Sequence, residues 1–390
     1  MGFDTDHLLP NLVALRRRLH ATPELGLHLP QTQATVLEAL AGLDLEITTG
    51  VGLSSVVAVL RGGRPGPVVL LRGDMDGLPI VEDTGLDYAS GNGAMHACGH
   101  DLHTAGLVGA VRLLHERRAE LPGTVVFMFQ PGEEGFAGGR IMLEEGLLDV
   151  AGETPVAAYA IHVDSATPRG LYVTRPGPIM AGASGMKLRV LGAGGHAAFP
   201  QEGVDPVPVA AEIVLAVQSF VTRRIAVAEP AVISVTRLAS NSLAGNVIPS
   251  MVEIDLNIRT LSRTTLDFVQ AELPALVTAL GAAHRCPVEV DVINSYPVTH
   301  NDPDETQRVL GWLEELHGTE HLQVLPAPGM ASEDFSYVLE KVPGTLVFLG
   351  ARAGEDHGPS MHSPAAVFDD SVLGEQAATL AELAWRRLAM

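Results

Sequence analysis

The chain has 390 residues, 46% of them hydrophobic and 18% charged, with a formal net charge of -21. A single core stops growing near roughly 250–300 residues, so this length predicts about two domains, and the apolar content excludes a disordered chain. Acidity on this scale argues against nucleic acid as a partner, because phosphate binding needs clustered Lys and Arg, and it leaves a small molecule as the expected ligand.

Two cysteines, Cys98 and Cys286, are too few for a disulfide framework and point to a reducing compartment. The opening "MGFDTDHLLPNLVALRRRLH" carries acids where a signal peptide carries positive charge, and no apolar run approaches the roughly 20 residues of a membrane span. A cytoplasmic protein that meets no membrane is expected.

Apolar residues at helical spacing predict a helix over 8–20 and another over 31–43, separated by "ATPELG". "VVLLRGD" at 68–74 is a continuous β-rich run ending in a polar loop, the pattern of a strand buried on both faces. "GTVVFMFQPGEEG", "AYAIHVD" and "GTLVFLGA" repeat that pattern, with helical stretches at 103–118 and 138–146. Strands alternating with helices predict an α/β sheet covered on both faces, with ligands bound beyond the C-terminal strand ends. From about 185 the pattern is strand "MKLRVLG", helix 206–222, strands "AVISVTRLA" and "MVEIDLNIRT", helix 264–280 and strand "PVEVDVIN". This β-α-β-β-α-β order is that of a ferredoxin-like unit. The expected organisation is a main domain of 1–181 and 294–390 carrying an inserted domain of 182–293.

The chemistry gathers at the strand ends. "FMFQPGEEG" ends on Glu133 and Glu134, "AYAIHVD" carries His162, and "GPSMHSP" after the last strand carries His362; "AMHACGHDLHT" adds Cys98 and His100. A thiolate, imidazoles and a carboxylate suit a zinc- or manganese-like divalent ion open to water. Five protein donors exceed the needs of one tetrahedral catalytic ion, so two ions fit the count better. Side chains alternate in direction along an extended chain, so one glutamate of the pair can ligate while its neighbour faces water as a general base.

Each residue also has an ordinary alternative. A lone histidine at a strand end is commonly a hydrogen-bonded structural group, and Glu-Glu is commonly a solvated helix start. Cys98 is either a buried small hydrophobe or a nucleophile served by His100 or His103. The joint occurrence at several strand ends favours the metal reading. Asp74, closing "VVLLRGD", and Asp101 are expected to support the donors from behind, Asp101 also capping a helix that starts near 103. His96 and His103 are read as structural. "LGAGGHAAFP" lacks the Lys and Ser/Thr of a P-loop, and its glycines are read as a turn presenting His196.

"RRRLHATPELG", "LRGDMDGLP", "MHACGHDLHTA", "FQPGEEG", "AIHV", "GAGGHAAFP", "NVIP", "SEDFS" and "MHSP" follow one another in this order. The set, spanning nearly the whole chain, resembles the amidohydrolase branch of the dinuclear metallopeptidases, which includes hippurate hydrolases, N-acyl-amino-acid aminoacylases and indole-acetyl-amino-acid hydrolases. The resemblance implies a catalytic domain with a mixed sheet and an inserted α+β lid and dimerisation domain, hence a homodimer. It implies two divalent ions (zinc, manganese, cobalt or nickel) on Cys98, His100, Glu134, His162 and His362, with Glu133 as general base. It further implies that His196 reaches across the dimer to support the developing oxyanion, and that Asn246 and Arg259 hold the amino-acid part of the substrate. The implied reaction is hydrolysis of the amide bond of N-acyl amino acids. A dipeptidase or carboxypeptidase with the same centre, and a non-catalytic metal- or ligand-binding homologue, are the alternatives. The chain departs from the family pattern with Thr22 and His28 around "PELG", Gly73 and Gly77 in "RGDMDGLP", Ser184 near the first hinge, and no glycine ahead of "RT".

Overall fold

Proline in the first turn, where no N–H is needed, starts helix α1 (Leu9–Ala21) and helix α2 (Pro30–Leu40). The computed structural model describes residues 2–354 and 358–390. After α2 come strands β1 (Glu46–Thr49), β2 (Val56–Arg61) and β3 (Arg64–Asp74), helix α3 (His100–Glu116), β4 (Pro122–Gln130), α4 (Gly138–Glu144), β5 (Ala157–Asp164), β6 (Tyr172–Thr174) and β7 (Gly177–Met180). The middle of the chain supplies β8 (Gly182–Leu191), β9 (Gly195–His196), α5 (Pro206–Arg224), β10 (Ala231–Ser240), β11 (Val247–Ile248), β12 (Met251–Thr260), α6 (Arg263–Ala283) and β13 (Val288–Tyr296). The rest forms β14 (Thr299–Asn301), α7 (Pro303–His317), β15 (Leu322–Val324), α8 (Ser336–Leu339), β16 (Gly344–Gly350) and α9 (Val372–Leu388).

Two compact units result. One comprises Met1–Ile179, His300–Ala327 and Asp334–Met390; the other comprises Met180–Thr299 and Pro328–Glu333. The first holds an eight-stranded sheet in the order β1-β2-β4-β3-β5-β16-β6-β15. Its centre, β4-β3-β5-β16, is parallel, while β1, β2 and the β16–β6 pair bring in antiparallel neighbours, so the sheet is mixed. From Val68 onward β3 is buried at every position, and β5 is buried from Ala157 to Val163, as the apolar runs require of strands covered on both faces. Because β4, β3, β5 and β16 run the same way, the loops after Gln130, Asp74, Asp164 and Gly350 leave one edge of the sheet.

In the second unit four strands pair antiparallel in the order β10-β12-β8-β13. With α5 and α6 as crossovers, this is the ferredoxin-like order. Its core joins Leu188, Val190 and Ile254 of the sheet to Ile213 and Val217 of α5 and Val269 and Leu273 of α6. The segment 328–333, assigned by sequence to the main domain, packs with the second unit. Backbone and side-chain bonds explain this: Ala181 N–H donates to the Gly329 carbonyl (3.0 Å) and Arg259 Nη1 donates to Ser332 Oγ (2.9 Å).

Two further sequence expectations need correction. Helix α6, at 21 residues, is long and apolar enough by composition to cross a membrane, contrary to the reading that no such run exists. Its Val269, Leu273 and Val277 recur at helical spacing on the face buried in the second core, which accounts for the apolar content. Helix α3 starts at His100 and not near 103, because Gly99 turns the chain with φ 84° immediately after Cys98. A Cβ on Gly99 would sit 2.4 Å from Val163 Cγ2.

The "RRRLH" motif packs inward. Arg16 is fully buried, with Nε 2.7 Å from Asp101 Oδ2 and Nη1 donating to Asp370 Oδ1 (3.0 Å) and Tyr88 Oη (2.8 Å). His20, one turn on, faces Asp101 Oδ2 with Nδ1 (2.8 Å) and Glu82 Oε1 with Nε2 (3.1 Å). Carboxylates only accept, so both ring nitrogens carry protons; burial opposes that charge, but Asp101 outweighs it and holds the His20 pKa above its ordinary value. Arg16→Met removes the counter-charge of a buried aspartate, and the loss of stability is expected to be about 3–5 kcal/mol, read as a lower urea midpoint.

Candidate metal centre

Cys98 lies at the junction of two groups of donors in the first unit. Its sulfur forms one three-donor group with His100 and His162, and another with Glu134 and His362; within each group the ligand atoms lie within 4.8 Å of one another. All five residues expected as ligands are therefore brought together.

Hydrogen bonds decide which atom each histidine offers. His100 Nδ1 donates to the Asp76 carbonyl (2.8 Å), and His162 Nδ1 donates to the Val163 carbonyl (2.7 Å). A carbonyl only accepts, so each ring carries a proton on Nδ1 and turns Nε2 toward the other donors. His162 Nε2 stands 3.5 Å from Cys98 Sγ. His100 Nε2 is buried without a hydrogen-bond partner, as is Glu134 Oε1, which lies 3.2 Å from His362 Nε2 but outside hydrogen-bonding geometry. Buried polar atoms are rarely left unmatched. An imidazole nitrogen and a carboxylate oxygen without hydrogen-bond partners, beside a thiol, fit a divalent cation.

His362 enters from the loop after β16. It adopts φ 66°, unusual for a residue with a side chain, and its N–H donates to the Ala97 carbonyl (2.9 Å), next to Cys98. The Cys98 sulfur and then the Glu134 carboxylate beside it favour the protonated ring and push His362 up to about 10. Burial favours the neutral thiol of Cys98, but the charge of His162 and the imidazoles of His100 and His362 around the sulfur outweigh it, bringing Cys98 down to about 6. The cluster is built to hold a thiolate.

The Glu133–Glu134 turn depends on a residue that sequence reading passed over. Asp76 accepts the Glu133 N–H at Oδ1 and the Glu134 N–H at Oδ2, both at 3.0 Å. Gly132 at φ 74° and Gly135 at φ 88° bend the chain on either side. The turn brings carboxylate oxygens of Glu133 and Glu134 within 4.8 Å of His100. Glu133 is buried, adjoins the cluster and belongs to neither Cys98 group. Asp76 sits in "RGDMDG", and a second aspartate just past a buried strand end was the signal available.

The expected supports divide. Asp74 lies behind the cluster, its Oδ2 accepting from Arg72 Nη1 (2.7 Å) and its Oδ1 from His103 Nδ1. Burial opposes its charge, but Arg72 and the neighbouring imidazoles hold it well below the usual carboxylate range. Asp101 does not orient a histidine of the cluster: its side-chain partners are Arg16 and His20, and it lies within the first turn of α3 rather than capping it. Being directly after His100, it points about 100° away from it around the helix. His103 uses both ring nitrogens within the protein, so the neighbouring Asp74, His100 and His103 group is not open to an ion.

The remaining expected site residues belong to the second unit. His196 on β9 is exposed and pairs with Val247 of β11, and Ala197 N–H donates to the Asn246 carbonyl (3.0 Å), so His196 and Asn246 are neighbours. Arg259, on β12, donates to Ser332 Oγ and to Asn257 Oδ1 (3.2 Å). Among the described residues no carboxylate pairs with it.

Parallel strand ends carrying a Cys98-centred pair of donor groups define a metallohydrolase of the dinuclear kind. The family model for Peptidase family M20/M25/M40 matches residues 70–386, and the chain belongs to this family. It is 36% identical over 346 residues to "Thermostable carboxypeptidase 1" of Saccharolobus solfataricus, covering 87% of this chain and 86% of that protein. It is 36% identical over 378 residues to "IAA-amino acid hydrolase ILR1-like 2" of Arabidopsis thaliana, covering 96% and 84%. A solved Bacillus subtilis protein described as a dinuclear metal binding peptidase of the M20 family superposes with TM-score 0.84 at 30% identity, covering 99% of this chain and all of that one (100%). The chain is a metal-dependent hydrolase, and its donor clusters support two divalent ions.

With Cys286→Ala to leave one thiol, chelator-treated protein is expected to gain ultraviolet thiolate absorbance as pH rises through about 6. A midpoint near the ordinary thiol value of 9.0 would contradict the proposed electrostatics.

Proposed function

We propose that the protein hydrolyses the amide bond of N-acyl amino acids, releasing a carboxylic acid and a free amino acid. The observation that carries this reading is the placement of Glu133, held by Asp76 beside the Cys98-centred donors yet outside both groups. Cys98, His100 and His162 would hold one divalent ion, and Cys98, Glu134 and His362 the other. Bound divalent ions supply Lewis acidity and lower the pKa of water.

Glu133 accepts the proton of the attacking water as its oxygen adds to the acyl carbon. When the C–N bond breaks, Glu133 passes that proton to the leaving nitrogen, so acid and amine leave with atoms and charge balanced. His196 supports the developing oxyanion. Asn246 and Arg259 hold the free carboxylate of the amino-acid part, for which a guanidinium with only neutral partners is suited, since its fork can engage both oxygens. A homodimer formed through the inserted domain, which would bring His196 to the partner's centre, and a cytoplasmic location belong to the same reading. Cys98 and Cys286 are both free thiols, consistent with a reducing compartment.

Peptide cleavage is the second reading, favoured by the carboxypeptidase name of a relative at 36% identity. Turnover of N-acetyl and N-benzoyl amino acids set against dipeptides separates the two; exclusive dipeptide cleavage overturns the first. Glu133→Gln is expected to lower kcat by about 10²–10⁴-fold while ion content stays unchanged. A near-normal rate in that variant would remove Glu133 from the mechanism. Arg259→Met is expected to raise KM by about 10–100-fold, the equivalent of losing a charge-assisted hydrogen bond, with a smaller effect on the corresponding amino-acid amides, which lack the carboxylate.

A further inference from the structure

We propose that His103 is a positioning residue that fixes the ring orientation and tautomer of His162, through a relay running Arg72, Asp74, His103 and the Val163 peptide. The inference deepens the proposed ligand set and rests on it only for its metal-binding consequence.

The relay starts at a buried guanidinium. Arg72 donates to Asp74 Oδ2 (2.7 Å), Gln130 Oε1 (3.0 Å) and Asp334 Oδ1 (3.2 Å), tying together the ends of β3 and β4 and the segment before α8. Asp74 Oδ1 then accepts from His103 Nδ1, while its backbone carbonyl accepts from Thr104 Oγ1 (2.8 Å). At the far side of the ring, His103 Nε2 accepts the N–H of Val163 (2.8 Å). The β3–β5 ladder ends at Arg72 and Ala160, so Val163 lies beyond the reach of that pairing and its N–H is satisfied by a side chain.

The direction of every bond is forced. A backbone N–H only donates, so His103 Nε2 must be the lone pair; the ring proton is then on Nδ1, which needs an acceptor and finds Asp74. Val163, held by its N–H, presents its carbonyl to His162 Nδ1 (2.7 Å). That bond protonates His162 at Nδ1 and aims its Nε2 at Cys98. The His103 ring packs edge-on against His162 with centroids 4.6 Å apart, limiting rotation as well. An asparagine at 74 would break the relay without changing its shape: Arg72 and His103 each need an acceptor oxygen, and an amide supplies one.

The test uses three full-length variants. His103→Phe fills the space with no acceptor, His103→Gln restores an amide oxygen for the Val163 N–H, and Asp74→Asn disturbs the His103 tautomer. Nitrogen-15 histidine NMR on chelator-treated protein reads the His162 tautomer, and zinc competition against a chelator reads affinity. Wild type is expected to show His162 protonated at Nδ1. His103→Phe and Asp74→Asn should mix the tautomers and weaken one of the two zinc ions by about 10–100-fold, while His103→Gln should recover most of both. An unaltered His162 tautomer and unchanged zinc affinity in His103→Phe would overturn the proposal. Should that variant lack a cooperative melt, Asp74→Asn and His103→Gln decide, and wild-type behaviour in Asp74→Asn overturns it. Wild-type protein that takes up no zinc defeats the ligand assignment instead, and the tautomer measurement then still judges His103.

Discussion

The thiolate of Cys98 is the constraint around which the first unit is arranged. A buried sulfur anion is costly unless cationic or hydrogen-bonding groups surround it, and here those groups come from separate parts of the chain: His100 from the start of α3, His162 from β5 and His362 from the loop after β16. None of these is near another in sequence except Cys98 and His100. The parallel centre of the sheet makes the convergence possible, because it sends the loops after β3, β4, β5 and β16 to one edge. Gly99 then allows the helix to begin two residues after Cys98, packed against Val163.

Behind the donors, buried charge is matched by buried charge. Arg72 faces Asp74 and Asp334; Arg16 faces Asp101 and Asp370; His20 bridges Asp101 and Glu82. Replacing such pairs by apolar residues is often neutral for stability, so their presence is weak evidence that they stabilise the fold. What they do supply is direction. With Arg72 at Oδ2, Asp74 offers Oδ1 to the Nδ1 proton of His103. Asp76 accepts two backbone N–H groups and so holds two consecutive glutamates in a turn beside the donors.

Much of this was legible in the sequence. The apolar runs ending in polar loops marked β3, β4, β5 and β16, and the donors at those ends pointed to one place because parallel strands share an edge. The β-α-β-β-α-β pattern marked the second unit. Helix α6 was read as part of the inserted unit, and its apolar content, which by length and composition is that of a span, was passed over. Asp101 was misplaced because its neighbour His100 suggested a shared role, whereas successive residues on a helix point about 100° apart. The start of α3 was placed late, at 103, whereas Gly99 with φ 84° launches the helix at His100.

The sequence by itself determined the donor inventory, the elements that carry it and the family pattern, because these depend on residue type and on periodicity along the chain. Tertiary structure decided what depends on contact between distant residues. It set which nitrogen of His100 and His162 faces the other donors, since carbonyls of Asp76 and Val163 take up Nδ1. It gave Asp76, Arg72 and His103 their partners, and it moved 328–333 into the second unit through bonds to Ala181 and Arg259. No local pattern encodes a hydrogen bond between residues 60 apart, such as that from Val163 to His103, and the orientation of the proposed centre is made of such bonds.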